Sequence, residues 1–503
     1  MTHLKASAAA TLDPSVHALQ ARWSASLSME SLYLAFADWW LHLLRSPGKH
    51  LGLLKLGLTQ AQQLHAYLLK CGLSCENPAK PCAVPPASDR RFADAAWQCW
   101  PFNVLHQHFL LQQRWWHAAI IGVHGVSQHH QDVMDFVARQ WLDVFSPGNF
   151  ALTNPVVLGR TQREGGRNLV RGTLNWMDDV MRHITGASAI GTDRFVVGRD
   201  VAVTPGRVVL RNELIELIQY APATETVRPE PILLVPAWIM KYYVLDLSPG
   251  NSLIRYLVAQ GYTVFCISWK NPDRGDASLS MDDYLSLGVR AALGAINSLL
   301  SKRCVHAVGY CLGGTLLAIA AAAMAREGDD RLASLTLLAA QRMPATMHSQ
   351  YLRRLYLNND LAAGRYAVDG KPVELKDIAV PMFCVATETD HVAPWQSVYK
   401  VHHLFTDEVT FVLTSGGHNA GIVSEPDHPG RRFRMLARPR GARSLSCQSW
   451  LSQASRKEGS WWPVWTQWLD AHSDALVPPP LMGMPGCEQN SLPPAPGHYV
   501  LEK

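Results

Sequence analysis

The chain has 503 residues, of which 48% are hydrophobic and 17% are charged, and its formal net charge is +5. This length allows two or three domains with a sizeable core. The modest charge, without a basic run, argues against a nucleic-acid-binding protein. The longest apolar run is too short to predict a membrane span, and residues 1–15 lack the apolar segment of a secretory signal.

The N-terminal part of the chain has the apolar spacing of helices. Residues 1–16 are rich in Ala, Thr and Ser and are expected to be disordered. Helical spacing follows from residue 21 to about 70 and continues, after loops, to Gly186. Residues 1–190 are therefore predicted to form an all-helical domain. Its stripe of Leu and Trp side chains suits either a granule or membrane surface or packing within the domain.

The pattern changes to short β runs after Phe195, around Gly198 and the Pro205-Gly206 turn. Residues 231–235 are entirely apolar, as is typical of a central strand in a parallel sheet. Helical segments then alternate with further apolar strands. Residues 191–503 are therefore predicted to form an α/β domain with a mostly parallel sheet.

Residues 304–325 combine a short strand, a tight turn and an Ala-rich helix. The turn, Gly309-Tyr310-Cys311-Leu312-Gly313, has the G-x-nucleophile-x-G form of the α/β-hydrolase elbow, with cysteine in place of the usual serine. The N-terminus of the helix would favour a thiolate at Cys311. The backbone amides of Leu312 and Ile239 are the candidate oxyanion hole. Alone, the turn also fits a buried structural cysteine.

An α/β-hydrolase supplies its acid and its histidine after later strands, in that order. Asp390 follows the apolar strand 380–386, and His418 lies in the glycine-rich loop after strand 409–414. The sequence therefore predicts a catalytic triad of Cys311, Asp390 and His418. His391, next to Asp390, is the competing candidate for the base.

These motifs together resemble the polyhydroxyalkanoate synthases. The resemblance rests on GYCLGGT at 309–315, on the loops 390–395 and 415–418, and on the segments 236–247 and 268–272. It extends from about Leu34 to the C-terminus and is most typical of the single-subunit class I enzymes. It implies an α/β-hydrolase fold and an acyltransferase that polymerises (R)-3-hydroxyacyl-CoA, with release of CoA, through a thioester on Cys311. It implies no metal or organic cofactor.

The resemblance also assigns roles and partners. His418 would take the thiol proton of Cys311 or pair with its thiolate. Asp390 would orient His418 or act through it on the 3-hydroxyl of the next monomer. The enzyme is expected to be cytoplasmic, at the surface of polyhydroxyalkanoate granules and in contact with the growing polyester, and the resemblance allows a homodimer. Cys311 is the candidate nucleophile, and the other nine of the ten cysteines are expected to be reduced, mostly structural thiols.

The chain departs from the family pattern after the strand 335–340. In the synthases this strand leads into a long helical cap over the active site, whereas here Gln341 and Arg342 continue directly into Met343-Pro344. Most of the cap is therefore expected to be missing near 341–342, with the triad unaffected. Two alternatives remain open: a cysteine-dependent hydrolase or thioesterase, and a catalytically weak, granule-associated synthase-like protein.

Overall fold

The computed structural model describes residues 28–71, 80–86, 89–301, 303–340, 355, 359–483 and 492–502. The chain divides into two compact units, Met1–Ala187 and Ser188–Lys503. The expected disorder of residues 1–16 and the expected loss of the cap near 341–342 both fall outside the described residues.

The first unit is helical, as predicted. Its described helices are α1 Met29–Leu44, α2 Pro47–Lys70, α3 Phe102–Ile120, α4 Gln128–Val144, α5 Pro155–Arg163 and α6 Arg167–Thr185. Side chains cap several of them; the hydroxyl of Ser127, for example, accepts from the amide of His130 at the start of α4. Helix α6 ends at Gly186, which has the positive φ of 68° that glycine adopts without strain.

The apolar stripe of α1 divides between the core and the surface. Trp39 and Leu43 are buried, and the indole N–H of Trp39 donates to the carbonyl oxygen of Ala119 at 3.1 Å. Trp40 and Leu44 are exposed on the same helix. Packing within the unit therefore accounts for only part of the stripe.

The second unit contains one large sheet and a small hairpin. Its described strands are β1 Gly206–Arg211, β2 Ile215–Tyr220, β3 Arg228–Val235, β4 Tyr262–Trp269, β5 Val305–Tyr310, β6 Leu332–Leu338, β7 Ala367–Val368, β8 Lys371–Pro372, β9 Met382–Thr387, β10 Val409–Thr414, β11 Arg432–Arg438 and β12 Ser455–Glu458. Ten of these strands form the sheet in the order β1-β2-β4-β3-β5-β6-β9-β10-β11-β12. The six central strands, β4-β3-β5-β6-β9-β10, are parallel to one another. At each end of the sheet, the two outer strands (β1 and β2, β11 and β12) pair antiparallel with their neighbours.

Most helices of this unit follow parallel strands. Those described are α7 Leu253–Ala259, α8 Met281–Asp283, α9 Ala291–Leu300, α10 Leu312–Glu327, α11 Trp395–Val398, α12 Val401–Leu404, α13 Cys447–Gln453 and α14 Trp462–Ala471, with a π-helix, Tyr284–Arg290, between α8 and α9. The alternation confirms the predicted α/β fold with a mostly parallel sheet. No helix in the described part of the chain is long and apolar enough to cross a membrane.

The central strands are buried because they carry almost only apolar side chains. Strands β4, β5, β9 and β10 are buried along their whole length. In contrast, the β runs expected around Gly198 form only an isolated bridge between Val197 and Val201. Among the described residues, no further strand pairs with the segments on either side of this glycine turn.

One expectation about the cysteines is wrong. Cys99 is disulfide-bonded. The described cysteines with free thiols are Cys71, Cys82, Cys266, Cys304, Cys311, Cys384 and Cys447. Spacing alone could not identify this bond, because a disulfide depends on which residues the fold brings together.

Candidate active site

Cys311 occupies a strained position between β5 and α10. Its φ is 55° and its ψ is −120°, in a region that non-glycine residues rarely adopt. Its amide donates to the carbonyl oxygen of Leu338 on the neighbouring strand at 2.9 Å, and its own carbonyl accepts from the amide of Gly314 at 3.0 Å. The strand on one side and the helix on the other therefore fix the backbone of the elbow.

The glycines of the elbow are required by close backbone contacts. A β-carbon at Gly309 would lie 2.4 Å from Cα of Gly314. A β-carbon at Gly313 would lie 2.1 Å from the carbonyl oxygen of Val235 and 2.6 Å from that of Pro236. The first turn of α10 thus packs directly against the end of β3, where the segment that carries Ile239 begins.

Asp390 is held by four hydrogen bonds. Its Oδ1 accepts from the amides of Val392 and Ala393, both at 2.8 Å, and its Oδ2 accepts from the hydroxyl of Thr387 at 3.0 Å. The ring of His418 supplies the fourth, from Nδ1 to Oδ2 at 2.8 Å. Burial alone would raise the pKa of Asp390, but the hydrogen bonds from Ala393 and His418 outweigh it and lower that pKa. The carboxylate is therefore ionised and fixed in orientation.

His418 is oriented by this carboxylate. An ionised carboxylate only accepts hydrogen bonds, so Nδ1 carries the proton and the neutral ring has its lone pair on Nε2. That Nε2 is buried and has no hydrogen-bond partner among the described residues. A buried basic nitrogen without a partner is ready to accept a proton. The competing candidate, His391, is exposed, and the hydrogen bonds to Asp390 do not involve it.

The loops of Asp390 and His418 leave the sheet side by side. Strands β9 and β10 pair in parallel, with Thr387 opposite Thr414 at their carboxyl ends. Beyond the strands, the amide of Thr389 donates to the carbonyl oxygen of Gly416 at 3.1 Å. The acid and the histidine therefore meet because their strands end at the same level.

Cys311 is buried, and burial raises its pKa to about 11. A hydrogen bond from the Leu312 amide lowers this pKa in part, and the nearby charge of Asp390 raises it. The expectation of a thiolate at the helix N-terminus is therefore wrong for the protein without substrate. Desolvation of the sulfur outweighs the contribution of the helix N-terminus, so the folded protein favours the neutral thiol of Cys311.

The two candidate oxyanion amides differ in their surroundings. Leu312 is buried at the start of α10, and its amide already points at Cys311. Ile239 is exposed, and among the described residues its amide has no acceptor. The segment before it is fixed by Trp269, whose indole N–H donates to the carbonyl oxygen of Pro236 at 2.9 Å. Both amides thus lie on segments that meet where Gly313 packs against β3.

The elbow and the histidine loop share a direct link that sequence reasoning missed. The hydroxyl of Tyr310 donates to Oδ1 of Asn419, and the rings of Tyr310 and His418 have their centroids 5.9 Å apart. Burial, together with the charge of Asp390, raises the pKa of Tyr310, so its phenol stays protonated. Adjacency to the predicted nucleophile and base is the only sequence signal that marks these two residues.

In the described part of the chain, no cluster of three His, Cys, Asp or Glu side chains is arranged to hold a metal ion. The candidate residues are a thiol, an imidazole and a carboxylate, together with two backbone amides.

The order of the sheet and the cysteine elbow define a protein of the α/β-hydrolase fold, and residues 230–373 match the family model described as alpha/beta hydrolase fold. Residues 88–257 match "Poly-beta-hydroxybutyrate polymerase (PhaC) N-terminus", and residues 7–49 match "Poly-beta-hydroxybutyrate polymerase N terminal". The chain belongs to the poly(3-hydroxyalkanoate) polymerase family.

Several relatives support this membership. The chain is 36% identical to the poly(3-hydroxyalkanoate) polymerase of Methylorubrum extorquens, over 84% of this chain and 82% of that protein. It is 32% identical to the polymerase subunit PhaC of Rhizobium meliloti, over 82% of this chain and 79% of that protein. It is 31% identical to the polymerase subunit PhaC of Cupriavidus necator, over 84% of each chain.

Proposed function

We propose that the chain is an acyltransferase that polymerises (R)-3-hydroxyacyl-CoA into polyhydroxyalkanoate and releases CoA. Its relatives are poly(3-hydroxyalkanoate) polymerases that match most of its length. The observation that carries the proposal is the hydrogen bond between His418 and Asp390, which leaves Nε2 of His418 without a partner among the described residues, in the loop beside the elbow of Cys311. This arrangement is the one that a thiol with a raised pKa needs in order to react.

In the first step, Sγ of Cys311 attacks the thioester carbonyl of the substrate. Nε2 of His418 takes the thiol proton as the S–C bond forms, and Asp390 stabilises the imidazolium that results. The tetrahedral intermediate places its negative oxygen against the amides of Leu312 and Ile239. The C–S bond to CoA then breaks, and the proton on His418 passes to the departing thiolate.

In the second step, the 3-hydroxyl of another monomer or of the polymer end attacks the acyl group on Cys311. Nε2 of His418 accepts the hydroxyl proton, the ester bond forms, and the proton returns to Sγ as the enzyme thioester breaks. Asp390 acts through His418 in both steps, because its Oδ2 is bound to Nδ1 of that ring.

Cysteine suits this reaction better than serine. Exchange between the CoA thioester and the Cys311 thioester is nearly isoenergetic, so the acyl group keeps the activation that drives ester formation. A serine ester would lose that activation before the polymer bond forms. The cysteine in place of serine in the elbow is therefore consistent with polymerisation.

The product has consequences for location and partners. A growing polyester attached to Cys311 is apolar and insoluble, and it would hold the enzyme at the surface of a granule. We therefore extend the proposal to a cytoplasmic enzyme on polyhydroxyalkanoate granules. A homodimer is part of this proposal, and size-exclusion chromatography with light scattering tests it.

The deciding experiment measures CoA release from 3-hydroxybutyryl-CoA and 3-hydroxyoctanoyl-CoA. Wild type is compared with Cys311→Ala and with Cys447→Ala, which removes a free thiol outside the site. We expect Cys311→Ala to abolish CoA release and Cys447→Ala to retain it. Release that survives Cys311→Ala would refute the proposal.

The same assay separates polymerisation from hydrolysis. The expected loss of most of the cap near 341–342 would favour access of water and is the reason to test for hydrolysis. Polymer as the main product supports the proposal, whereas free 3-hydroxy acid as the main product would establish a thioesterase. Granule binding without any CoA release would instead indicate a granule-associated protein.

A further inference from the structure

The elbow and the histidine loop are joined by the side chains next to the two reacting residues. Tyr310 immediately precedes Cys311, and Asn419 immediately follows His418. The phenol O–H of Tyr310 donates to Oδ1 of Asn419 across 109 residues of sequence. Tyr310 is 1% exposed, so its ring has a fixed position.

Asn419 is itself fixed from the other side. Its carbonyl oxygen accepts from the amides of Ile422 and Val423, at 3.0 and 2.8 Å, which closes a helical turn after the histidine. That turn is attached to the core, because the indole N–H of Trp462 donates to the carbonyl oxygen of Ile422 at 3.0 Å. A hydrogen bond to Asn419 therefore connects the elbow to a hydrogen-bonded turn of the loop.

The ring of Tyr310 supplies a second contact. Its centroid lies 5.9 Å from that of the His418 ring, with 31° between the planes. The imidazole is thus oriented through Nδ1 by Asp390 and is flanked on its ring by Tyr310. A sulfur and a nitrogen that exchange a proton must stay within hydrogen-bond reach, and small displacements reduce the rate strongly.

We propose that Tyr310 and Asn419 form a clamp that sets the separation between Sγ of Cys311 and Nε2 of His418. Both are positioning residues, because they act through the orientation of Cys311 and His418. The clamp rests on the proposed function, since it serves proton transfer between those two residues.

Two measurements test the clamp. The first is kcat and KM for CoA release. The second is the rate at which iodoacetamide alkylates Cys311, followed by mass spectrometry of the Cys311 peptide over a range of pH. Alkylation needs no turnover, so it reports the pairing of thiol and imidazole even if the proposed polymerisation is wrong.

The variants are Tyr310→Phe, Asn419→Ala and the double variant. Tyr310→Phe keeps the ring and removes the hydroxyl. We expect each single variant to lower kcat about tenfold or more, with KM nearly unchanged, and to slow alkylation near neutral pH. We expect the double variant to lose no more kcat or alkylation rate than Asn419→Ala alone, because both single changes break the same hydrogen bond.

Tyr262→Phe is the matched control. Its phenol is equally buried and donates to Asp470 at 2.6 Å, but it lies at the amino end of β4, away from the elbow. We expect this control to keep the wild-type kcat and alkylation profile. Unchanged kcat and alkylation in Tyr310→Phe, or losses that add in the double variant, would overturn the clamp. Full CoA release by Cys311→Ala would instead overturn the proposed function.

Discussion

Gly313 lies against Val235 so closely that a β-carbon on the glycine would be 2.1 Å from the valine carbonyl oxygen. This contact fixes the first turn of α10 to the end of β3. It therefore sets where the amide of Leu312 lies relative to the segment of Ile239. Side-chain volume at this one position would separate the two halves of the proposed oxyanion hole.

Gly313→Ala tests this contact. Because the atoms that block the methyl group are backbone oxygens, we expect the free energy of unfolding, measured by urea denaturation, to fall by about 1–3 kcal/mol or more. We also expect CoA release to be lost. Gly294→Ala is the matched control, since a β-carbon added at this position of α9 would have no atom within 4 Å. The control should be neutral or more stable by up to about 1 kcal/mol. Equal stability of the two variants would contradict the argument.

The identity of the base is tested with two histidine variants. We expect His418→Ala to lose acylation of Cys311 by substrate, because Nε2 of His418 is the proposed acceptor of the thiol proton. His391→Ala should acylate normally, since His391 is exposed and does not take part in the hydrogen bonds to Asp390. Rapid-quench detection of the acyl-enzyme measures both. Normal acylation in His418→Ala would refute the assignment.

The raised pKa of Cys311 predicts a specific dependence of stability on alkaline pH. An unfolded cysteine titrates near 8.5, whereas burial raises the pKa of Cys311 to about 11 in the folded protein. Between these values the unfolded chain has released a proton that the folded protein keeps. The free energy of unfolding therefore falls as the pH rises from about 8.5 to about 11.

Cys311→Ser removes this contribution, so we expect a shallower loss of stability over that range in urea titrations. Cys447→Ser, which changes a half-buried cysteine outside the site, should keep the wild-type slope. If the free energy of unfolding of Cys311→Ser falls with pH as steeply as that of the wild type, burial does not hold the thiol in its neutral form.

The oxyanion segment is tested through its anchor. Trp269→Phe removes the indole donor to Pro236 and should lower kcat by about tenfold, because the amide of Ile239 would no longer be held in place. Trp465→Phe removes another buried indole donor, which binds Thr336 of β6 at 3.1 Å. We expect that control to lose stability without a comparable loss of kcat. A full kcat in Trp269→Phe would show that the segment needs no anchor.

The sequence contains enough to predict the fold class and the residues that come together. Glycines on both sides of Cys311 and apolar strands before Asp390 and His418 are local patterns, and the parallel sheet brings the ends of such strands to one edge. The preference for His418 over His391 follows from its position after a later strand, and the hydrogen bond to Asp390 agrees with it.

Other features of the site depend on burial and on contacts between residues far apart in the sequence, which no local pattern predicts. The Tyr310–Asn419 bond joins residues 109 positions apart. The thiolate expectation is wrong because the helix N-terminus can be read from sequence, whereas the burial of Cys311 cannot. The role of Thr387 is another such case, since its hydroxyl reaches Asp390 only through the bend of the intervening loop.

Thr387 and Thr414 lie opposite each other at the carboxyl ends of β9 and β10, and this has a consequence for engineering. Because Asp390 and His418 follow adjacent strands, the pairing of β9 with β10 sets the spacing of the two loops, and the chain between β6 and β9 does not enter into it. We therefore expect a segment inserted after Ala340 to leave the hydrogen bond between His418 and Asp390 in place.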